Sequence, residues 1–150
     1  MSSSSAKNVP DKILLNLSNK GLKQLTYELL DQTLSTAYPG PEYQHLTLEH
    51  ITSLNLQANL LRSLPDDINS RLSSLEWLNM NQNRIMDIKE DILDKLAGDP
   101  FQINNVLISL HVNLTKESEV EMILKRLPQL KYLNGLDVDR EELELDEETN

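Results

Sequence analysis

Two stretches of this chain follow the same pattern of apolar residues and asparagine, displaced by 24 residues. The first, ITSLNLQANLLRSL, begins at Ile51, and the second, LEWLNMNQNRIMDI, begins at Leu75. The six template positions of the first stretch all have a counterpart in the second, and Asn59 is matched by Asn83. A period of this size is typical of architectures in which each unit buries its apolar side only against its neighbours.

Weaker copies of the pattern precede and follow these two stretches. LLNLSNKGLKQL, with Leu15 and Leu17, comes before them and has Lys20 at the asparagine position. In LISLHVNL we align Ile108 with the second leucine of the template and Asn113 with the asparagine, and LKYLNGL closes the series. The spacing resembles that of leucine-rich repeats. It predicts an α/β solenoid with a short, curved parallel sheet of about five strands, and helices or irregular segments on the convex side.

The asparagine of each unit is expected to turn inward at the end of its strand. There its amide can bond backbone groups that neighbouring turns would otherwise leave unsatisfied. The predicted structural asparagines are Asn59, Asn83 and Asn113.

The stretch LPQLKYLNGLDVDREEL, residues 127 to 143, resembles the cap of intracellular leucine-rich repeat proteins. Such caps occur in the phosphatase-regulating nuclear subunit, the axonemal outer-arm dynein light chain, the spliceosomal A′ protein and the acidic nuclear phosphoproteins. The resemblance covers residues 12 to 143, and it implies a protein that binds other macromolecules without catalysis. On this basis residues 1–11 are expected to be a disordered segment and residues 144–150 an acidic tail.

The strand register predicts which side chains face out of the concave sheet. The position before the second leucine holds Leu14, Ser53, Trp77, Leu107 and Tyr132 in successive strands, an apolar row with one exception. The two further outward positions are mostly polar. From these rows we predict a protein-binding set: Leu14, Asn16, Asn55, Gln57, Trp77, Asn79, Asn81, Leu107, Ser109, His111, Tyr132 and Asn134. The alternative is local packing, in which the chain's own terminal segments cover Leu14 and Tyr132.

The first unit is longer than the others and contains STAYPGPEYQHL. Pro39, Gly40 and Pro41 indicate a loop insertion at about 33–47. Long loops often carry function, but a tolerated insertion on the convex side explains the same sequence.

The chain contains no motif that indicates catalysis. His45, His50 and His111 have no recognisable metal-ligand spacing, the four glycines form no phosphate-binding loop, and cysteine is absent. We therefore predict a protein that is not an enzyme and has no catalytic residue, no cofactor and no metal.

The formal net charge is −10, and much of it comes from the acids between Asp137 and Glu148. The body lacks the excess of Lys and Arg that direct nucleic-acid binding requires, and no apolar run is long enough to span a membrane. The acidic end is either a solvated tail or a segment that attracts a basic partner.

Two functions remain open at this stage. The first is an adaptor that binds a larger protein through its concave face, of the phosphatase-regulator, dynein light-chain or ribonucleoprotein type. The second is an acidic chaperone or inhibitor of a basic protein, acting through residues 141–148. We expect a cytoplasmic or nuclear protein, with cytoskeletal or ciliary association as a variant, that is a monomer outside its complex.

Overall fold

The computed structural model describes residues 11–85, 90–97, 107–113 and 117–138. Strands alternate with helices or turns along these ranges. The strands are β1 (Ile13–Asn16), β2 (Ile51–Asn55), β3 (Trp77–Asn79), β4 (Ser109–His111), β5 (Tyr132–Leu133) and β6 (Leu136–Asp137). The helices are α1 (Tyr27–Ala37), α2 (Ile68–Arg71), α3 (Glu90–Ala97) and α4 (Glu117–Arg126), with 3-10 turns at Pro41–Tyr43 and Leu48–His50. The predicted acidic tail and residues 1–10 lie outside the described residues.

The strands form one open sheet in sequence order. β1 to β5 are parallel, whereas β6 pairs with β5 in the antiparallel sense. The turn between them consists of Asn134 and Gly135, with φ values of 53° and 80°, which suit a tight hairpin. The predicted α/β repeat fold is thus confirmed, and an antiparallel sixth strand is added to the expected five.

One face of the sheet is apolar because side chains alternate along each strand. In β1, Leu15 is buried, whereas Leu14 and Asn16 on either side are exposed. The equivalent inward residues of β2 and β3 are Leu54 and Leu78, which are both fully buried. Complete burial of a leucine side chain stabilises a fold by about 1.5–3 kcal/mol, so these stacked leucines form the main apolar core.

Helix α1 lies in the extra length of the first unit. The side chain of its N-cap residue, Thr26, accepts a hydrogen bond from the Leu29 N–H at 3.2 Å, and its buried side chains are Leu30 and Leu34. α1 extends into residues 33–47, so the first part of the predicted loop insertion is helical. The sequence did not reveal this helix because only two of its side chains are buried, Leu30 and Leu34, and because turn-forming prolines follow it closely.

The remainder of the insertion returns to the edge of the sheet. The hydroxyl of Tyr38 accepts a hydrogen bond from the backbone N–H of Leu14, in edge strand β1, at 3.0 Å. The ring of Tyr38 packs edge-on against that of Tyr43, with centroids 5.4 Å apart. Since a free N–H on an edge strand can pair with another chain, this bond reduces the open edge of β1.

The layer behind the sheet also contains a polar cluster that joins two units. The Tyr27 hydroxyl donates to Asp67 Oδ1 at 2.5 Å, and the Arg71 guanidinium lies 4.3 Å from the Tyr27 ring centroid. Burial raises the pKa of the Tyr27 phenol, and the hydrogen bond to Asp67 and the charge of that carboxylate act in the same direction.

Candidate protein-binding surface

The open face of the sheet presents a row of side chains across the five parallel strands. Pairing of Cα atoms aligns Leu14, Ser53, Trp77, Ser109 and Tyr132 in that order, and we call these five residues the anchor row. Large apolar or aromatic side chains stand on β1, β3 and β5, and a serine separates each of them from the next. Leu14 is 57% exposed and Tyr132 is 41% exposed, whereas Trp77 is half-buried.

The structure corrects the predicted alignment of the fourth strand. The sequence alignment places Leu107 beside Trp77, but Leu107 is only 2% exposed and Ser109 occupies that position. The residue aligned with Leu78 is Leu110. A displacement by two residues preserves the inward and outward alternation, so the apolar pattern could not distinguish the two alignments.

The same displacement brings His111 next to Trp77. Their ring centroids are 5.3 Å apart, with an angle of 55° between the ring planes. Gly135 approaches the imidazole as well, because a Cβ atom added to it would lie 3.9 Å from Cε1 of His111. His111 is expected from the sequence at the third outward position, and the structure places it at the second.

A second row carries amide side chains. Cα pairing aligns Asn16, Asn55, Asn79 and His111, and Asn134 follows in the turn after β5; we call these five residues the amide row. The Oδ1 atom of every asparagine in the row accepts a hydrogen bond from a backbone N–H. The donors are Ser18 to Asn16, Gln57 to Asn55, Asn81 to Asn79, and Val112 to Asn134, at 2.9–3.0 Å. These hydrogen bonds therefore stabilise the backbone where the strands end.

The third outward position of each central strand is also polar. Gln57 follows β2 and Asn81 follows β3, and both are half-buried. The Oε1 atom of Gln57 accepts a hydrogen bond from Nδ2 of Asn79 at 3.2 Å, so the two polar positions are linked. Ser53, absent from the predicted set, faces the same surface from β2, and the period of two along that strand is the signal that identifies it.

Asn59 lies behind this surface and joins two units. Its Nδ2 atom donates to the carbonyl oxygens of Leu17 at 2.8 Å and Leu56 at 2.9 Å. Its Oδ1 atom accepts from the N–H groups of Lys20 and Leu22, each at 3.0 Å. One buried side chain thus satisfies four backbone groups, which explains why the repeat requires an amide at this position.

Asn83 has the same arrangement in the next unit, but Asn113 does not. Asn83 donates to the Leu56 carbonyl at 2.9 Å and accepts from the Leu61 N–H at 3.0 Å. Asn113 is exposed and lies at the third outward position, because the alignment of the fourth strand is displaced. The prediction of Asn113 as a structural asparagine is therefore wrong.

The histidines of the insertion have a local structural role. The rings of His45 and His50 are 5.9 Å apart, and Nδ1 of His50 accepts a hydrogen bond from the Thr47 N–H at 3.0 Å. The described residues contain no group of three or more His, Cys, Asp or Glu placed to hold a metal ion. In the same part of the chain, every helix is too short or too polar to cross a bilayer.

Parallel strands, inward leucines and a bridging asparagine in successive units are the features of the leucine-rich repeat fold. The profile of the family described as Leucine rich repeat matches residues 49–98, and the described residues have the fold of a leucine-rich repeat solenoid.

Within that class the chain is similar to the acidic leucine-rich nuclear phosphoprotein 32 family member A of Drosophila melanogaster. The identity is 26% over 163 residues, covering 90% of this chain and 58% of that protein, so this chain spans less than two thirds of the relative's length. Among solved structures, its fold is similar to a chain in the crystal structure of the Drosophila melanogaster SNF/U2A′ complex. The TM-score is 0.63 at 15% identity, covering 99% of this chain and 90% of that one.

Proposed function

We propose that this protein is a non-catalytic interaction subunit that binds a larger protein through the open face of its repeat sheet, with Trp77 at the centre of the contact. Leu14 and Tyr132 flank the centre on the first and fifth strands. The amide row provides the polar contacts beside them. The proposed site of action is the nucleus.

The observation that carries this proposal is the composition of the anchor row. Its three large side chains are apolar or aromatic, and two of them are more than 40% exposed. Monomeric proteins rarely leave such side chains together on one face unless the face binds something. Aromatic residues surrounded by polar groups are the usual energetic centre of protein interfaces.

The comparisons support the same kind of function and the same compartment. The relative at 26% identity is named as a nuclear phosphoprotein. The chain with the similar fold belongs to a protein complex, SNF/U2A′. These names describe those proteins, and they favour a nuclear protein partner for this one, of the ribonucleoprotein type.

The acidic alternative depends on residues 141–148, which lie outside the described residues. A chaperone that binds a basic partner through carboxylates would lose affinity steeply with ionic strength, since exposed charges are screened. Contact through the uncharged anchor row would depend little on salt. Binding measured at low and high ionic strength therefore separates the two functions.

The test is affinity capture from nuclear extract followed by binding measurements with the purified captured protein. Trp77→Ala is expected to weaken binding by roughly 30-fold or more, as removal of a central aromatic residue does. Gln32→Ala, an exposed position on α1 in the layer behind the sheet, is the matched control and should bind as the parent does. Equal affinity of the Trp77→Ala variant and the parent would refute the proposed function.

A further inference from the structure

The hydrogen bonds of the amide row determine which end of each side chain faces a partner. A backbone N–H can only donate, so the atom it meets in Asn16, Asn55 and Asn134 must be the amide oxygen. Those bonds are 2.9–3.0 Å long. Each of these oxygens already accepts a bond within the protein, whereas the Nδ2 groups of the three residues donate to no acceptor of the described residues.

The neighbouring side chains of Gln57 and Trp77 also present hydrogen-bond donors. Gln57 uses its Oε1 to accept from Asn79, which leaves its Nε2 group as the outward end. The indole of Trp77 offers only an N–H. Within the described part of the chain, the Asn79 amide is the only one of these donor groups that donates to an acceptor of this protein. The side-chain amides of this surface, together with the indole of Trp77, therefore offer N–H donors to a partner.

The same surface carries little formal charge. No Asp, Glu, Lys or Arg occupies the anchor row or the amide row, although the chain as a whole has a net charge of −10. The charged residues beside these rows are Asp137, which pairs with Tyr132, and Lys12 and Glu76, which form an ion pair at 2.6 Å and so offset each other's charge. A partner that fits this surface must bring acceptors and apolar groups, with no charge that would be buried unpaired.

Few protein conformations present unpaired acceptors along one side. Helices and sheets use their own carbonyl oxygens, but a polyproline II segment forms no internal hydrogen bonds and leaves them all free. Proline also removes the backbone N–H, so such a segment presents acceptors alone. Its partial charges are thus complementary to a face of N–H donors.

The spacing of the anchor row agrees with this conformation. Leu14, Trp77 and Tyr132 stand on every second strand, which corresponds to about 9.5 Å between neighbours in a sheet. A polyproline II helix repeats its face every three residues, or about 9.3 Å. In an extended strand, residues three positions apart point to opposite sides, so a strand would not match the row.

Resting on the proposed function, we propose that the open face binds a proline-rich segment of the partner protein in the polyproline II conformation. Proline rings pack on Trp77 and Tyr132, as in other aromatic-lined grooves for such segments. Carbonyl oxygens of the segment accept from the side-chain amides of Asn16, Asn55 and Gln57. Because Ser53 and Ser109 have small side chains, depressions lie between the large side chains of the anchor row.

The probe that tests this proposal is an acetylated, amidated decaproline peptide, compared with an uncharged alanine–glutamine peptide of the same length that forms a helix. Binding is measured by calorimetry and by the side-chain amide signals in ¹⁵N-correlated NMR spectra. We expect saturable binding of decaproline, with shifts at Asn16 and Asn55, and weaker binding of the helical peptide. Tighter binding of the helical peptide, or no binding of decaproline at millimolar concentration, would overturn the proposal.

Asn55→Asp is the decisive variant because it keeps an oxygen for the Gln57 N–H and replaces the outward donor with a charged carboxylate oxygen, which cannot donate. Decaproline affinity should fall roughly tenfold in this variant. Gln32→Glu makes the same change of charge on α1, and its affinity should stay unchanged. Unaltered binding by Asn55→Asp would also overturn the proposal. If Trp77→Ala abolishes capture of the natural partner while decaproline fails to bind, the proposed function survives and the proline-rich ligand is excluded.

Discussion

The hydroxyl of Thr52 accepts a hydrogen bond from the backbone N–H of Ile13 at 2.9 Å and can donate to the carbonyl oxygen of the same residue at 3.1 Å. The pairing register between β1 and β2 shifts at this point, between Ile13 and Leu14. A side chain therefore replaces the ladder partner that the irregular backbone cannot provide. Thr52 is buried, at 7% exposure, so no water can easily take its place.

Thr52→Val should destabilise the fold by about 1–3 kcal/mol, because it leaves buried backbone groups of Ile13 without a partner. Thr52→Ser keeps the hydroxyl and should lose less. Chemical denaturation of the two variants and the parent gives the comparison. Equal stability of the valine and serine variants would show that the hydroxyl bonds contribute nothing.

Asn59→Ala should cost on the order of 1–3 kcal/mol, since four backbone groups lose their amide partner. Asn113→Ala, at a position of the same residue type that is exposed, should change stability by less than about 0.5 kcal/mol. Thermal melts of both variants check the displaced alignment of the fourth strand. A loss at Asn113 equal to that at Asn59 would contradict it.

Trp77 and Leu78 are adjacent in β3 and face opposite sides of the sheet. Leu78→Ala should lose about 2–5 kcal/mol of stability, as emptying a buried leucine site does. Trp77→Ala should lose clearly less than the ~3–5 kcal/mol that removal of a core aromatic residue costs. Unfolding of the tryptophan variant with tolerance of the leucine variant would reverse the assignment of the two faces.

The raised pKa of Tyr27 predicts a dependence of stability on alkaline pH. The neutral phenol is favoured in the folded state by burial and by its bond to Asp67, so its contribution is complete below the ordinary tyrosine pKa of about 10. Stability should fall as the pH rises above that value, because the unfolded chain loses the proton first. Melting temperatures of the parent and of Tyr27→Phe, followed from neutral to alkaline pH, test this, and parallel curves would exclude Tyr27 as the cause.

The repeat period and the asparagine phase were sufficient to predict the fold and the outward positions of the first three strands. They failed at β4, because Ile108, Leu110 and Val112 allow two alignments of the same alternation. The period also could not show that an antiparallel strand follows β5. These errors arise from the degeneracy of short apolar patterns, which tertiary packing resolves.

The sequence alone could not show whether the side-chain amides of the surface present their donor or their acceptor ends. Asparagine contributes both a donor and an acceptor, and only the position of the backbone N–H groups of Ser18 and Gln57 determines which one is used. The bond from Leu14 to Tyr38 was likewise hidden, since it joins residues from two different elements of the first unit.

The hairpin of β5 and β6 also limits how this architecture can be enlarged. A duplicated unit inserted between β2 and β3 would find parallel neighbours on both sides and could extend the stack. The same unit placed after Asp137 would meet a strand that runs in the reverse direction, and its leucines would have no matching layer. Duplicated units can therefore be added between the parallel strands but not after β6.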